Sequence, residues 1–296
     1  MKFENAISIH RSSGLTNYIL LMKPELTLLS VLTAVGSSYL AAREMGNYIS
    51  LIHTLIGTLL VGGAAGTLNQ YIERDYDAQM KRTAQRPLPS GRIDSADALF
   101  FGIVLAIGGI LYLALAGNLL AGILAALTLA SYLCVYTPLK RRTPFATIVG
   151  GIPGALPPLI GWAVTRGDLS REAWALFFIL FFWQMPHFLA LAWMYRKDYE
   201  RAGYKILSVL DPSGKITGRQ TLIYSIVLIP ASLLPTLLGM AGIIYFSAML
   251  ILAFVFLFLS ISMYRHHTFV SARRLFFASL IFLPLLFFFL MISPIL

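Results

Sequence analysis

Nine runs of 17 to 23 mostly apolar residues, separated by short segments rich in Lys, Arg, Gly and Pro, decide what this chain can fold into. Crossing the hydrocarbon core of a bilayer takes about 20 apolar residues in a helix, and only a helix or a closed barrel satisfies its own backbone there. The runs fall at 26–42, 53–72, 97–116, 119–137, 145–164, 173–195, 220–238, 242–264 and 275–293. Only 12% of residues are charged and the mean hydropathy is +0.76, whereas soluble domains carry roughly a quarter charged residues. A water-soluble globule is excluded. The expected fold is all-α: residues 1–296 form a single domain, one bundle of about nine transmembrane helices around a central cavity. Leu15 to Met22 is too short to span and is followed at once by Lys23 and Pro24, so the N-terminus reads as uncleaved. The lone Cys134, inside an apolar run, leaves no internal disulfide and no cysteine-based metal site.

The basic residues give the bundle a direction. Twenty of the 23 Lys and Arg fall in the N-terminal segment (Lys2, Arg11, Lys23) and in the connections 73–96, 138–144, 196–219 and 265–274, which alternate along the chain; only Arg43, Arg166 and Arg171 fall in the others. The positive-inside rule then puts the N-terminus in the cytoplasm and the C-terminus outside, in a bacterial-type inner membrane. The net charge of +10 is thereby a topology signal and a means of meeting anionic membrane lipid; no nucleic-acid partner is needed to explain it. Glycines and prolines inside spans, such as Gly62, Gly63 and Gly66 or Gly150, Gly151, Gly154, Pro157 and Pro158, predict close helix packing or kinks.

Orientation does not explain the carboxylates at the end of the second span. At 100° per residue Asn69, Glu73 and Asp77 share a helix face within about 80°, while Asp75 points elsewhere. Two carboxylates a turn apart suit Mg²⁺, which takes one or two of them and keeps its other positions for water and phosphate oxygens. Lys81, Arg82 and Arg86 follow at once and suit phosphate. Within 14 residues the run thus reads as a diphosphate site. The competing reading is a solvated helix end with local pairs, Glu73 to Arg74 or Asp77 to Lys81. Asn69 and Gln70 argue against it, since amides inside a span are costly and face a protein interior.

Two further segments bring polar groups to the same side. FFWQMPHFLALAWMYRKDYERAGYKIL, from Phe181, places Gln184 and His187 within a span that ends in Arg196, Lys197 and Asp198. On a continuous helix Trp183, His187, Met194 and Asp198 share a face, with His187 roughly 16 Å below Asp198 at 1.5 Å per residue. YTPLKRRTPFATIVGGIPGALPPLIGW, from Tyr136, adds Lys140, Arg141 and Arg142. A lone intramembrane His is commonly an interhelical hydrogen-bonder, but ionisable groups at such depth are functional candidates.

At these residues the chain resembles the UbiA superfamily of intramembrane prenyltransferases over nearly its whole length, and within it the heme-modifying branch. The superfamily's first aspartate-rich motif, Asn-Asp-x-x-Asp-x-x-x-Asp, stands here as Asn69, Gln70, Glu73 and Asp77, followed by MKRTAQRPLPSG. Gln70 and Glu73 replace aspartates. The second motif ordinarily offers two or more aspartates; YRKDYERAG keeps Asp198 alone, which leaves the number of metal ions open. WQMPHF with RKDY, and YTPLKRRT with GALPPLIGW, match the heme-modifying branch. The resemblance implies transfer of a farnesyl group from farnesyl diphosphate to a vinyl group of protoheme IX (heme b), with addition of water. It implies Mg²⁺ held by Glu73, Asp77 and Asp198, with Asn69 in the same catalytic set. It implies Lys81, Arg82, Arg86, Lys140, Arg141 and Lys197 on diphosphate oxygens, with Arg196 beside them. Tyr136, along with Tyr71, Trp183 and Phe188, is then expected to face the allyl cation, and His187 to contact heme. A downstream heme-modifying enzyme or a terminal oxidase would receive the product. Two alternatives stay open from sequence: a prenyltransferase of the same superfamily acting on an aromatic quinone precursor or a chlorin, and a non-enzymatic heme carrier or transporter.

Overall fold

The computed structural model describes residues 14–293 except Asn47, and Glu44 without its side chain. Lys2 and Arg11, counted above toward the basic side, lie outside the described residues. A short helix α1 (Gly14–Leu21) precedes nine helical spans among the described residues, Pro24–Arg43, Ile49–Asp77, Ser95–Gly117, Leu119–Leu139, Ala146–Arg166, Arg171–Met194, Lys215–Leu237, Ile243–His266 and Phe269–Ile292. They correspond one to one with the nine apolar runs.

The differences lie at ends and breaks. The second span, α3 (Ile49–Asp77), continues five residues past its apolar run, so its carboxylates stand on rigid helix rather than in a loop. The third, α4 (Ser95–Tyr112), closes with a π-helical turn at Leu113–Gly117, and the fourth, α5 (Leu119–Ala130), passes through another at Ser131–Tyr136 into a single turn, α6 (Thr137–Leu139). The fifth is two helices, α7 (Ala146–Ala155) and α8 (Pro157–Arg166), because Pro157 and Pro158 have no N–H to continue the ladder. Beyond α9 (Arg171–Met194) come two short helices, α10 (Arg196–Arg201) and α11 (Leu207–Leu210), then α12 (Lys215–Leu237), α13 (Ile243–His266) and α14 (Phe269–Ile292). The segment 265–274, expected to be a basic loop, is almost entirely helix: only His267 and Thr268 connect α13 to α14, and Arg273 and Arg274 lie within α14. The reason is a capping box, in which the Thr268 side chain accepts from Ser271 N–H and the Ser271 side chain bonds back to Thr268 N–H, so the helix starts early.

The bundle turns the usual distribution of side chains outward. Phe100, Leu115 and Phe258 are at least 70% exposed, as a lipid-facing surface requires, whereas hydroxyls are buried between helices. Ser225 meets Ser260 at 2.6 Å across α12 and α13, and Thr165 meets Ser38 at 2.7 Å and Ser50 at 3.0 Å where α8, α2 (Pro24–Met45) and α3 converge. Two glycines permit backbone contact. A Cβ on Gly161 would fall 1.9 Å from the Ala34 carbonyl oxygen, and one on Gly66 2.7 Å from that of Met22. These approaches seat α8 on α2, and α3 against the turn that carries Lys23.

Candidate active site

The helical period fixes which α3 side chains turn inward. Asn69, Glu73 and Asp77 are 1%, 6% and 1% exposed, while the side chain of Asp75, on the other face, is 78% exposed. Gln70 is buried as well but does different work: its Nε2 donates to the carbonyls of Leu20 and Leu21 at 2.9 and 3.0 Å, fastening the last turn of α1 to α3. Its Oε1 has no partner among the described residues.

Each inward group is met by a partner from outside its own helix. Lys140 Nζ lies 2.6 Å from Glu73 Oε1, which also accepts from the Tyr204 hydroxyl at 3.0 Å. Arg86 Nη1 donates to Asp77 Oδ2 at 2.6 Å. Asn69 Oδ1 accepts from the Lys23 ammonium, and its Nδ2 donates to Thr137 Oγ1 at 3.1 Å. The widened turn at Ser131–Tyr136 directly precedes Thr137 and Lys140, and π turns of this kind re-aim the helix that follows. Backbone bonds then tie the loops together, Lys205 N–H to the Lys140 carbonyl at 3.0 Å. The local pairs that the solvated-end reading requires do not form: Arg74 turns to Asp75 at 3.8 Å and to its own Tyr71 carbonyl, and Lys81 is exposed and bonded to neither carboxylate.

The cations differ in their charge. Burial disfavours the Lys140 ammonium, yet the Glu73 carboxylate outweighs it and holds the pKa well above the ordinary lysine value. Lys23 has no such carboxylate in contact; burial, with the Arg86 cation next in weight, brings it down to about 7. Burial and the neighbouring Glu73 charge keep the Tyr204 phenol protonated, its pKa raised. Around this centre the arginines stack on tyrosines: Arg82 sits 4.6 Å from the Tyr195 ring and donates to the Tyr199 hydroxyl at 3.1 Å, and Arg141 lies 4.0 Å over Tyr76. Tyr136 lies 4.9 Å from Lys140 Nζ.

Asp198 does not join Glu73 and Asp77. The expected continuous face from Trp183 to Asp198 fails because the helix breaks at Tyr195 (φ −108°, ψ 20°), where α9 gives way to α10. Asp198 pairs instead with Arg201 at 3.4 Å and, with Arg196 and Lys197, lines a cavity of about 330 Å³ that none of Glu73, Asp77, Arg86 or Lys140 borders. No three carboxylate, His or Cys side chains among the described residues gather closely enough to hold a metal by themselves. The acceptable fit for Mg²⁺ is the α3 pair. Among the described residues Glu73 is bonded through Oε1 and Asp77 through Oδ2, leaving a hard oxygen on each, the small protein share that Mg²⁺ takes when a diphosphate supplies the rest.

His187, deep in α9, is sandwiched between Trp183 (ring centroids 5.2 Å) and Phe276 of α14 (4.8 Å). Its Nδ1 is 2.7 Å from Ser279 Oγ, whose own proton goes to the Phe276 carbonyl at 2.5 Å. Nδ1 is therefore the donor, and Nε2 keeps its lone pair. Gln184 bonds the Gly151 carbonyl at 2.7 Å and links α9 to α7.

Sequence reasoning missed Lys23, Thr137 and Tyr204. Lys23 was legible only as a boundary cation; that it directly precedes Pro24 was the available signal, since Pro starts the helix and holds the lysine beside it. Nothing marked Tyr204 or Thr137.

A bundle of nine spans with a buried carboxylate pair and converging cations defines an intramembrane prenyltransferase class: the model of the UbiA prenyltransferase family matches residues 29–290, and the chain belongs to that family. Among its relatives, the protoheme IX farnesyltransferase of Solibacter usitatus is 47% identical over 280 residues, 92% of this chain and 96% of that protein. The protoheme IX farnesyltransferase of Salinibacter ruber is 44% identical, over 91% of this chain and 95% of that one. Solved structures share the fold at low identity. A digeranylgeranylglyceryl phosphate synthase aligns with TM-score 0.78 at 16% identity, over 94% of this chain and 98% of that one. A UbiA homolog from Archaeoglobus fulgidus, bound to GPP and Mg²⁺, aligns with TM-score 0.64 at 15% identity, over 93% of this chain and all of that one.

Proposed function

We propose that the chain transfers the farnesyl group of farnesyl diphosphate to a vinyl group of protoheme IX, with addition of water, giving heme O and diphosphate. The observation that carries the reading is the buried Glu73–Asp77 pair with Lys140 and Arg86 in contact, in a chain 47% identical to a protoheme IX farnesyltransferase.

Breaking an allylic carbon–oxygen bond leaves a delocalised carbocation and a strongly anionic diphosphate, so the catalytic task is to receive that charge. Mg²⁺ at the free oxygens of Glu73 and Asp77 would neutralise the leaving group as a Lewis acid. Arg86 and Lys140 surround it with fixed positive charge, Lys23 adds one that an incoming anion favours, and the buried setting makes each contact worth more than it would be in water. Asn69 holds Lys23 toward the centre, and Tyr204 and Lys140 together hold Glu73 in place. The Tyr136 ring presents a π face suited to the allyl cation. Arg82 and Arg141, stacked on tyrosines at the periphery, suit capture of incoming diphosphate. His187, with Nδ1 committed to Ser279, offers Nε2 to heme iron or to a polar edge of the porphyrin. Asp198, in its separate cavity, has no part in the first metal position on this reading. Both substrates carry a large apolar body that suits delivery from lipid, and the charge asymmetry along the chain supports a diphosphate site at the cytoplasmic face of an inner membrane.

The test is chromatography of hemes from cells with and without the chain, together with membranes given labelled farnesyl diphosphate and either heme or 4-hydroxybenzoate. A new, more hydrophobic heme and label in heme alone are the expected results. Label in 4-hydroxybenzoate, with no new heme, overturns the acceptor assignment while leaving prenyl transfer standing.

A further inference from the structure

The cavity at the junction of α9 and α10 is a second polar site, distinct from the carboxylate pair, and the geometry points to it as the place where the carboxylate edge of the porphyrin acceptor docks. This rests on the acceptor reading above and gives it a location. Three independent observations meet there. The cavity is walled by apolar side chains, Trp193 and Phe269 among them, and edged by Arg196 and Lys197. Asp198, also at its edge, is paired with Arg201 at 3.4 Å, so the surplus charge facing the space is positive.

The second observation is an imidazole without a partner. His267 Nε2 is buried and takes no hydrogen bond in the structure, and leaving a buried polar atom unpaired is costly enough that such atoms are rare. The third is the packing of the same residue. His267 is the left-handed cap that ends α13, at φ 54°, with its N–H on the Met263 carbonyl. The surroundings are visible: Trp193 Nε1 donates to the His267 carbonyl at 3.0 Å, and Gly214 packs so tightly that a Cβ there would lie 2.6 Å from Trp193 and 2.8 Å from His267. Trp193 in turn carries the Arg196 guanidinium 4.2 Å above its ring. One packed cluster thus holds two cations and the His267 ring around an apolar-floored space.

Such a site takes an amphiphile with carboxylates at one edge of a flat apolar body. At about 330 Å³ it is at the small end of ligand cavities, roughly 300–1,000 Å³, which fits the propionate edge of a porphyrin and not the whole macrocycle. Lys197, which the resemblance puts on diphosphate oxygens, and Arg196 beside it are thereby reassigned to the acceptor.

The experiment compares protoheme with its dimethyl ester, in which both propionates are masked, as farnesyl acceptors for the full chain in zwitterionic vesicles. The parent chain is expected to prefer the diacid in kcat/KM by about tenfold or more, the loss that follows from masking charge-assisted hydrogen bonds. In Arg196→Gln/Lys197→Gln the ratio falls to near one, whatever the absolute rate, and Lys197→Arg keeps the preference. Lys197 is exposed, so Lys197→Gln alone retains the test should Arg196 prove necessary for folding, with a reduced ratio expected. A double variant that discriminates as strongly as the parent overturns the proposal. So does a loss of rate that appears only when anionic lipid is present and leaves the ratio intact, which would make the cavity a headgroup site. A parent chain that farnesylates neither form overturns the acceptor reading along with it.

Discussion

Glu73→Gln removes one charge from the centre of the site while keeping its shape. In the parent chain Lys140 Nζ lies 2.6 Å from Glu73 Oε1, with the two side chains 13% and 8% exposed. Burial works against the ammonium, and the carboxylate is what holds its pKa up. Removing one partner of a buried pair costs about 3–5 kcal/mol, because the other charge stays behind. Lysine has an escape: releasing its proton, from an ordinary pKa of about 10.4, costs roughly 4 kcal/mol at pH 7.4, which caps the loss. The sign with pH follows from where protons are bound. In the parent the raised pKa means that the pair's contribution is complete below about pH 10 and fades only above it. In the variant burial prevails, the folded chain prefers neutral lysine, and the unfolded chain stays protonated. Its deficit therefore shrinks by ~1.4 kcal/mol per pH unit on going up, or by about 3 kcal/mol between pH 7 and pH 9. Unfolding midpoints in detergent check this, with Glu73→Gln/Lys140→Met expected to recover most of the loss at pH 7. A deficit of equal size at both pH values, or a double variant no more stable than the single, would refute the reasoning.

The other predictions are simpler. Lys23, with a pKa near 7, is largely neutral at pH 8 and will be charged by an incoming diphosphate; calorimetry in buffers of different ionisation heat should show proton uptake at pH 8 that vanishes toward pH 6 and is missing in Lys23→Arg. Arg86→Ala should lower kcat/KM by about a hundredfold, the worth of a charge-assisted bond of up to about 3 kcal/mol, whereas Lys81→Ala should stay near the parent rate. Heme titration of His187→Ala should lose the spectral signature of an axial imidazole, and Ser279→Ala should alter it without abolishing binding; unchanged spectra in His187→Ala rule out ligation. Gly161→Leu, which drives a side chain into the Ala34 carbonyl, should cost about 3 kcal/mol or more, while Gly108→Ala, with open space at its Cβ, should be neutral or slightly stabilising in the same unfolding assay.

Sequence alone reveals what is local or set by the membrane. The spans follow from hydrocarbon thickness, and the inward face of Asn69, Glu73 and Asp77 follows from a helical period that continues unbroken to residue 77. The extrapolation through α9 failed for the same reason the α3 one succeeded: both assumed an unbroken helix, and only Tyr195 interrupts one. The Glu73–Lys140 pair was out of reach because it joins positions 67 residues apart; such contacts are set by how spans pack. Local alternatives, Arg74 for Glu73 and Lys81 for Asp77, looked equally good on paper. Gln70 was read as a degraded aspartate and is instead a tie between two helices.

The order of the charged partners along the chain has a consequence for how this protein comes into being. Lys23, Asn69, Glu73, Asp77, Arg86, Lys140 and Tyr204 have all been synthesised before α12 begins at Lys215. The last three spans add nothing to that cluster; they bring Phe276 and Ser279 to His187, and His267 to the second cavity. A ribosome threading this chain into the bilayer completes the cluster of carboxylates and cations first, and the last three spans arrive afterwards to pack around His187 and the second cavity.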